Sequence, residues 1–186
     1  MKGFKKYLAE QNQLPTIYCD MDETIVNFLG GADKVLKKHS FPAWNDPHWK
    51  QYSNDRADQI RWDIVKKEPL FWRNLEWMSD GKQLWRFILP YHPHILSHAT
   101  HYMATCKPEK YQWLVKNLGL NNPAYIHLVD NRGDKSRFAI NNNGKPNILI
   151  DDYIKNCNDW KAAGGIGIQH TSAANSISQL RKLGFK

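Results

Sequence analysis

Apolar residues along this chain follow two spacings. Compact runs in "LPTIYCD" (14–20), "AYIHLVD" (124–130), "PNILIDD" (146–152) and "GIGIQH" (165–170) read as short buried strands, the first introduced by Pro15. "HPHILSHAT" (92–100) holds a very short strand around Ile95 and Leu96. Elsewhere apolar residues recur at helical spacing. "ADKVLKKH" (32–39) predicts a short helix after Gly30 and Gly31, and "NDRADQIRWDIVKKE" (54–68) predicts one with Asn54 or Asp55 as N-cap, closed by Pro69. Leu84, Trp85 and Ile88 mark a helix in "SDGKQLWRFILP" (79–90). "KPEKYQWLVKNLG" (107–119) starts with Pro108 in its first turn, lines Trp113, Leu114 and Leu118 on one face, and stops at Gly119. "DYIKNCNDWKAAG" (152–164) and "SAANSISQLRKLG" (172–184), opening at Ser172, complete the set, while residues 40–53, with two prolines, read as loop.

Strands alternating with helices predict an α/β fold with a Rossmann-like parallel sheet covered on both faces. In such sheets ligands collect beyond the carboxyl ends of the strands. Asp20 and Asp22, Ser97, and Asp151 and Asp152 each follow an apolar strand core, which places all three groups on one rim. Two carboxylates one residue apart at a strand end repel each other, and a second acidic pair doubles the problem. A bound cation relieves it, and oxygen-only ligation fits Mg²⁺. The alternative is a pair of unrelated helix caps, one after each strand.

A length of 186 residues suits one domain with a small insertion, and eight tryptophans argue for a folded core. No run approaches the roughly 18 apolar residues that span a bilayer. The first 13 residues are basic but lack the apolar stretch of a signal peptide. Three cysteines without CxxC spacing suit a reducing compartment, so a cytoplasmic location is expected. The net charge of +8 favours anionic ligands, from a single phosphate to a nucleic acid.

"DMDET" (20–24), "ILSH" (95–98), a later lysine and "ILIDD" (148–152) together resemble the four motifs of the haloacid dehalogenase-like phosphatases, in order and in strand context. Within that superfamily the chain resembles the deoxyribonucleotidases. The matches are "DMDETIVNF" (20–28) with its Phe28, "EKYQWLVKNLG" (109–119), and "DNRGDKS" (130–136) leading to "LIDD". The resemblance implies that Asp20 attacks phosphorus and that Asp22 serves as acid and then base. It implies phosphate contacts from Ser97, Lys135 and, as a second cation, Lys110. Mg²⁺ would be held by Asp20, the Asp22 backbone carbonyl and Asp151, with Asp152 acting through water or orienting the site. Thr24 would bond Asp22 or cap the turn. Two positions depart from the pattern: His98 stands where a second hydroxyl is common, so its phosphate contact would differ, and the segment between Lys135 and Asp151 is longer, with "AINNNGKPN" (139–147) as a hairpin or loop.

The resemblance divides the chain into a core of residues 1–27 and 78–186 and a small helical cap of residues 28–77. The cap carries five of the eight tryptophans. Aromatic faces suit a nucleobase; Phe28, with Phe71 or Trp72, is the expected substrate contact, and Arg73 reads as a surface residue. His92, His94, His98 and His101 match no zinc spacing. The expected partner is a small phosphorylated substrate, a nucleotide above all, with no membrane. A phosphorylated nucleic-acid end, another small phosphomonoester, a homodimer and a non-catalytic basic nucleic-acid-binding module remain the alternatives.

Overall fold

Five strands form one sheet in the order β3-β2-β1-β4-β5 in the computed structural model, which describes residues 14–186. The basic segment 1–13 lies outside the described residues. The strands are β1 (Ile17–Cys19), β2 (His94–His98), β3 (Ile126–Val129), β4 (Ile148–Asp151) and β5 (Ile166–Gln169). Every neighbouring pair is parallel, so all carboxyl ends share one rim. The chain builds outward from β1 through β2 to β3, then crosses back to β4 and β5. The strand order therefore reverses between β1 and β4, where open α/β sheets place their ligand crevice.

Strand alternation assigns the two faces. Tyr18, Leu96 and Leu149 point to one side and pack with Ala139 and Trp160, the latter on helix α5 (Ile154–Ala162). Ile17, Cys19, Ile95, Ile148 and Ile150 point to the other, into the larger core. That core is closed by α3 (Gly81–Ile88), α4 (Cys106–Leu118) and α6 (Ala173–Lys182). The parallel sheet with helices on both faces is the predicted fold class. Among the described residues no helix is long and apolar enough to cross a membrane.

Local chemistry moved several boundaries. Helix α1 (Phe28–Lys38) begins before the glycine pair because Asn27 caps it, its Oδ1 accepting from Gly30 N at 2.9 Å. Gly31 sits inside that helix because Leu75 approaches so closely that a Cβ would lie 2.2 Å from its Cδ2. Helix α2 (Asn54–Val65) is capped by Ser53, not Asn54 or Asp55, and ends well before Pro69. The 40–53 loop holds a 3-10 turn at Pro47–Gln51, capped by Asp46. Strand β2 runs five residues, longer than the expected fragment. Gly119 does end α4, at φ 67°.

Residues beyond Asn27 leave the sheet and return at the same point. Asn27 N donates to Glu76 O and Met78 N to Ile25 O, each at 2.9 Å, with Val26 bridged to Trp77. Most aromatics of this excursion pack on one another: Phe28 stacks on Trp72 at 5.2 Å and meets Trp44 edge-on at 5.1 Å, while Trp62 meets Trp44 at 5.0 Å. Two residues of α4 tie it down. Trp113 Nε1 donates to Leu75 O at 2.8 Å, and the buried Glu109 accepts from Trp72 N at 3.0 Å.

Candidate active site

The β1–β4 ladder continues to the acids, with Asp20 N donating to Ile150 O at 2.8 Å. Asp20 and Asp151 share the parity of Tyr18 and Leu149 and so lie toward the α5 face. There Lys135, buried in the turn Arg132–Phe138, places Nζ 2.9 Å from Asp20 Oδ1 and 2.7 Å from Asp151 Oδ2. Asn156 on α5 donates to both oxygens of Asp151 at 3.0 Å. Ser97 has the parity of Ile95 and faces α4. From that side the fully buried Lys110 reaches Ser97 Oγ at 3.1 Å, His98 O at 2.7 Å and Asp22 Oδ2 at 2.6 Å. Two lysines thus converge on the rim from opposite faces of the sheet.

Electrostatics show how crowded the acids are. Burial pushes the Asp22 carboxyl up against the pull of Lys110. Burial, then the Asp20 charge, lifts Asp151 to about 6 and Asp152 to about 7. Burial opposes the Lys135 charge, but Asp20 and Asp151 outweigh it and hold the ammonium above the ordinary lysine range. Burial first, then Arg132 and Lys110, drives His98 down to about 4, so its imidazole is neutral at pH 7. Because the Asp130 carbonyl only accepts, His98 Nε2 at 3.1 Å carries the hydrogen and Nδ1 is left as an acceptor.

Asp20, Asp151 and Asp152 offer oxygens within 4.8 Å of one another and form the one group of three or more ligating side chains among the described residues. These hard donors fit a divalent cation of the Mg²⁺ or Ca²⁺ kind. Four carboxyl groups, Asp20, Asp22, Asp151 and Asp152, share this rim with the ammoniums of Lys110 and Lys135. The Asp22 carboxylate is committed to Lys110 and lies outside the cluster.

The rim opens into a cavity of about 860 Å³ whose walls include Asp20, Asp22, Phe28, Trp72, His98, Lys135 and Asp152. Ser97, Lys110 and Asp151 are buried behind these walls. Phe71 is placed elsewhere, in a separate cavity of about 220 Å³ beside Gly31 and Leu75. Arg73 is exposed and lines neither cavity. The buried Thr24 hydroxyl bonds no partner among the described residues, so it neither supports Asp22 nor caps the turn. His94 pairs with His127, Nδ1 to Nε2 at 2.9 Å, and belongs to no metal cluster.

The sequence assigned no role to Asn156, Glu109, Arg132 or Glu23, although Glu23 stands out as the third acid of the first motif. Arg132 lines the cavity with its guanidinium 5.4 Å over the Tyr153 ring; its place three residues before Lys135 was the available signal. Glu23, directly after Asp22, holds φ 52°, a left-handed conformation that costs a side-chain-bearing residue about 1–2 kcal/mol. Its Oε1 accepts from Leu29 N at 2.7 Å, binding the start of α1 to the acid turn. Glu23→Ala loses this bond and keeps the backbone strain, whereas Glu23→Gly loses the bond and relieves the strain. Glu23→Gly is therefore expected to be more stable than Glu23→Ala by about 1 kcal/mol in urea denaturation. Equal midpoints would contradict the strain.

No sequence-family model and no curated protein sequence matches the chain. Solved structures do. L-2-haloacid dehalogenase from Xanthobacter autotrophicus superposes with a TM-score of 0.51 at 18% identity, over 84% of this chain and 77% of that one. A haloacid dehalogenase-like family hydrolase from Streptococcus pneumoniae gives 0.53 at 14% identity, over 90% and 91%. A HAD family hydrolase from Deinococcus radiodurans, determined with bound phosphate and sodium, gives 0.51 at 10% identity, over 92% and 88%. With its strand order and its acids on the carboxyl rim, the chain has the haloacid dehalogenase-like fold.

Proposed function

We propose that this protein is a Mg²⁺-dependent phosphatase of nucleoside monophosphates, deoxyribonucleotides in particular. The observation that carries the reading is the convergence of Lys135 and Lys110 on Asp20, Asp22 and Ser97 beneath an aromatic-walled cavity. Asp20 attacks phosphorus, forming an aspartyl-phosphate as the bond from phosphorus to the leaving oxygen breaks. Asp22, whose carboxyl burial pushes above the ordinary carboxylate range, gives its proton to that oxygen. It then takes a proton from the water that cleaves the aspartyl-phosphate, restoring Asp20 and releasing phosphate. Ser97, Lys110 and Lys135 bind phosphoryl oxygens, and neutral His98 offers an acceptor beside them. Mg²⁺, held by Asp20, Asp151 and Asp152 with the Asp22 carbonyl, would supply positive charge beside the transferring phosphoryl group.

The excursion 28–77 acts as the cap, and Phe28 and Trp72, which line the cavity, form an apolar wall for the sugar and base. The cysteines Cys19, Cys106 and Cys157 are free and buried, in keeping with a cytoplasmic setting. Mg²⁺ is expected to raise the melting temperature of the metal-stripped protein, and Asp152→Asn to weaken that response. A melting temperature unmoved by millimolar Mg²⁺ would count against the ion site. The net charge of +8 favours a second reading, a phosphorylated nucleic-acid end as substrate. Phosphate release from dTMP and dUMP, compared with 3′- and 5′-phosphorylated oligonucleotides in Mg²⁺, separates the two. Release from oligonucleotides alone would overturn the nucleotide reading.

A further inference from the structure

Glu109 is 4% exposed, and its carboxylate makes one hydrogen bond among the described residues, Oε2 accepting from Trp72 N at 3.0 Å. A carboxylate taken out of water for a single bond is a poor source of stability, and an apolar side chain often fills such a place without loss. Its value lies in where it puts Trp72. Lys110, the next residue, places Nζ 4.2 Å from the centroid of the Trp72 ring. Helix α4 therefore grips residue 72 twice, by its backbone and by its ring. Trp113, one helical turn beyond Glu109 and on the same face, donates to Leu75 O at 2.8 Å. The two bonds set the register of the cap's return segment along α4. Trp72 in turn backs the aromatic wall: Phe28 stacks on it at 5.2 Å with planes 14° apart, and Trp62 at 6.1 Å with planes 29° apart. All three rings line the active-site cavity.

We propose that Glu109 is a positioning residue for substrate binding: by holding the Trp72 backbone it seats that ring against Lys110 and aligns the aromatic wall over the organic half of the substrate. Glu109 lines neither cavity, so it acts through Trp72 and not by touching substrate. The phosphoryl end is held separately. Lys110 keeps its bonds to Ser97, the His98 carbonyl and Asp22, and Lys135 keeps Asp20 and Asp151, whatever becomes of the Glu109 bond. Loss of that bond loosens the wall and leaves the reacting groups in place. It weakens the binding of esters that carry a ring and spares those that do not. The proposal rests on the phosphatase reading above and adds the residue that sets its preference for ring-bearing esters.

Glu109→Met keeps the length of the side chain and removes the acceptor. It is expected to raise KM for dTMP and for p-nitrophenyl phosphate by about 5- to 30-fold, within the lower range of one hydrogen bond to a charged group, with kcat held within about twofold. KM for acetyl phosphate, which has no ring to meet the wall, should stay within about twofold. Glu109→Gln retains an oxygen acceptor and should restore the wild-type KM values. Trp113→Phe separates positioning from stability: it cuts the Leu75 bond, leaves Trp72 held, and should lower the melting temperature with little change in KM. Equal KM changes on all three substrates, an unchanged KM on the two ring-bearing ones, or no rescue by Glu109→Gln would overturn the proposal. Should Glu109→Met fail to fold, Glu109→Asp withdraws the carboxylate by one methylene and keeps the charge. The same KM pattern is then expected, and wild-type KM values overturn it. Wild-type activity on p-nitrophenyl phosphate but not on dTMP would remove the nucleotide reading alone, and KM for p-nitrophenyl phosphate against acetyl phosphate then decides the role of Glu109. Inactivity on every phosphate compound would remove both.

Discussion

Asp20→Asn is expected to lower kcat for phosphate release by at least about 10³-fold, on nucleotides and on p-nitrophenyl phosphate alike. An amide has the shape of the carboxylate but does not attack phosphorus. The fold should survive the change. Lys135 keeps Asp151 at 2.7 Å, so no buried ammonium is left without a partner, and one of four crowded negative charges is gone. Steady-state rates beside a melting curve distinguish loss of the nucleophile from loss of structure. An Asp20→Asn protein that retains most of its activity would move the nucleophile to another residue.

Lys110→Met is expected to cost about 10²–10³-fold in kcat, the range seen when one preorganised charge stabiliser is removed. Its ammonium holds three things at once: the Ser97 hydroxyl, the carbonyl of His98 and the Asp22 carboxylate. Methionine fills a similar volume without the charge, so Asp22 loses its counterion and its aim. Burial already pushes Asp22 toward the acid form, so without Lys110 it protonates rather than remaining a stranded charge. The variant should therefore still unfold in a cooperative transition. It should lose less on p-nitrophenyl phosphate, whose leaving group needs little protonation, than on dTMP. Near-normal turnover of dTMP by Lys110→Met would place the functional phosphate cation on Lys135 alone.

The rim was legible because of how parallel strands are built. A strand buried on both faces is a bare apolar run, so the acids that close "TIYCD" and "ILIDD" stand out and locate the carboxyl ends. Lys110 left a physical trace too: it sits three residues before Trp113 and four before Leu114, on the apolar face of α4. A charge on a buried face needs a partner, and Asp22 is that partner. Lys135 left no such trace, because the segment after β3 has no periodicity and only the motif order pointed to it. Phe71 and Trp72 are neighbours in an irregular turn, where no repeat tells which ring faces the cavity; the structure gives it to Trp72. Asn156 looks like a surface residue of a polar helix until α5 is docked against β4. Gly30 and Gly31 read as breakers, yet the close approach of Leu75 places Gly31 inside α1.

The covalent step is the centre of this account. The measurement that reaches it most directly is an acid quench of enzyme mixed with radiolabelled dTMP and Mg²⁺ within the first turnover, followed by peptide mapping. Label that survives acid, is released by hydroxylamine, and maps to the peptide holding Asp20 is the predicted result, and Asp20→Asn should carry none. Turnover with no trapped label, or label on Asp22 or any residue other than Asp20, would contradict it.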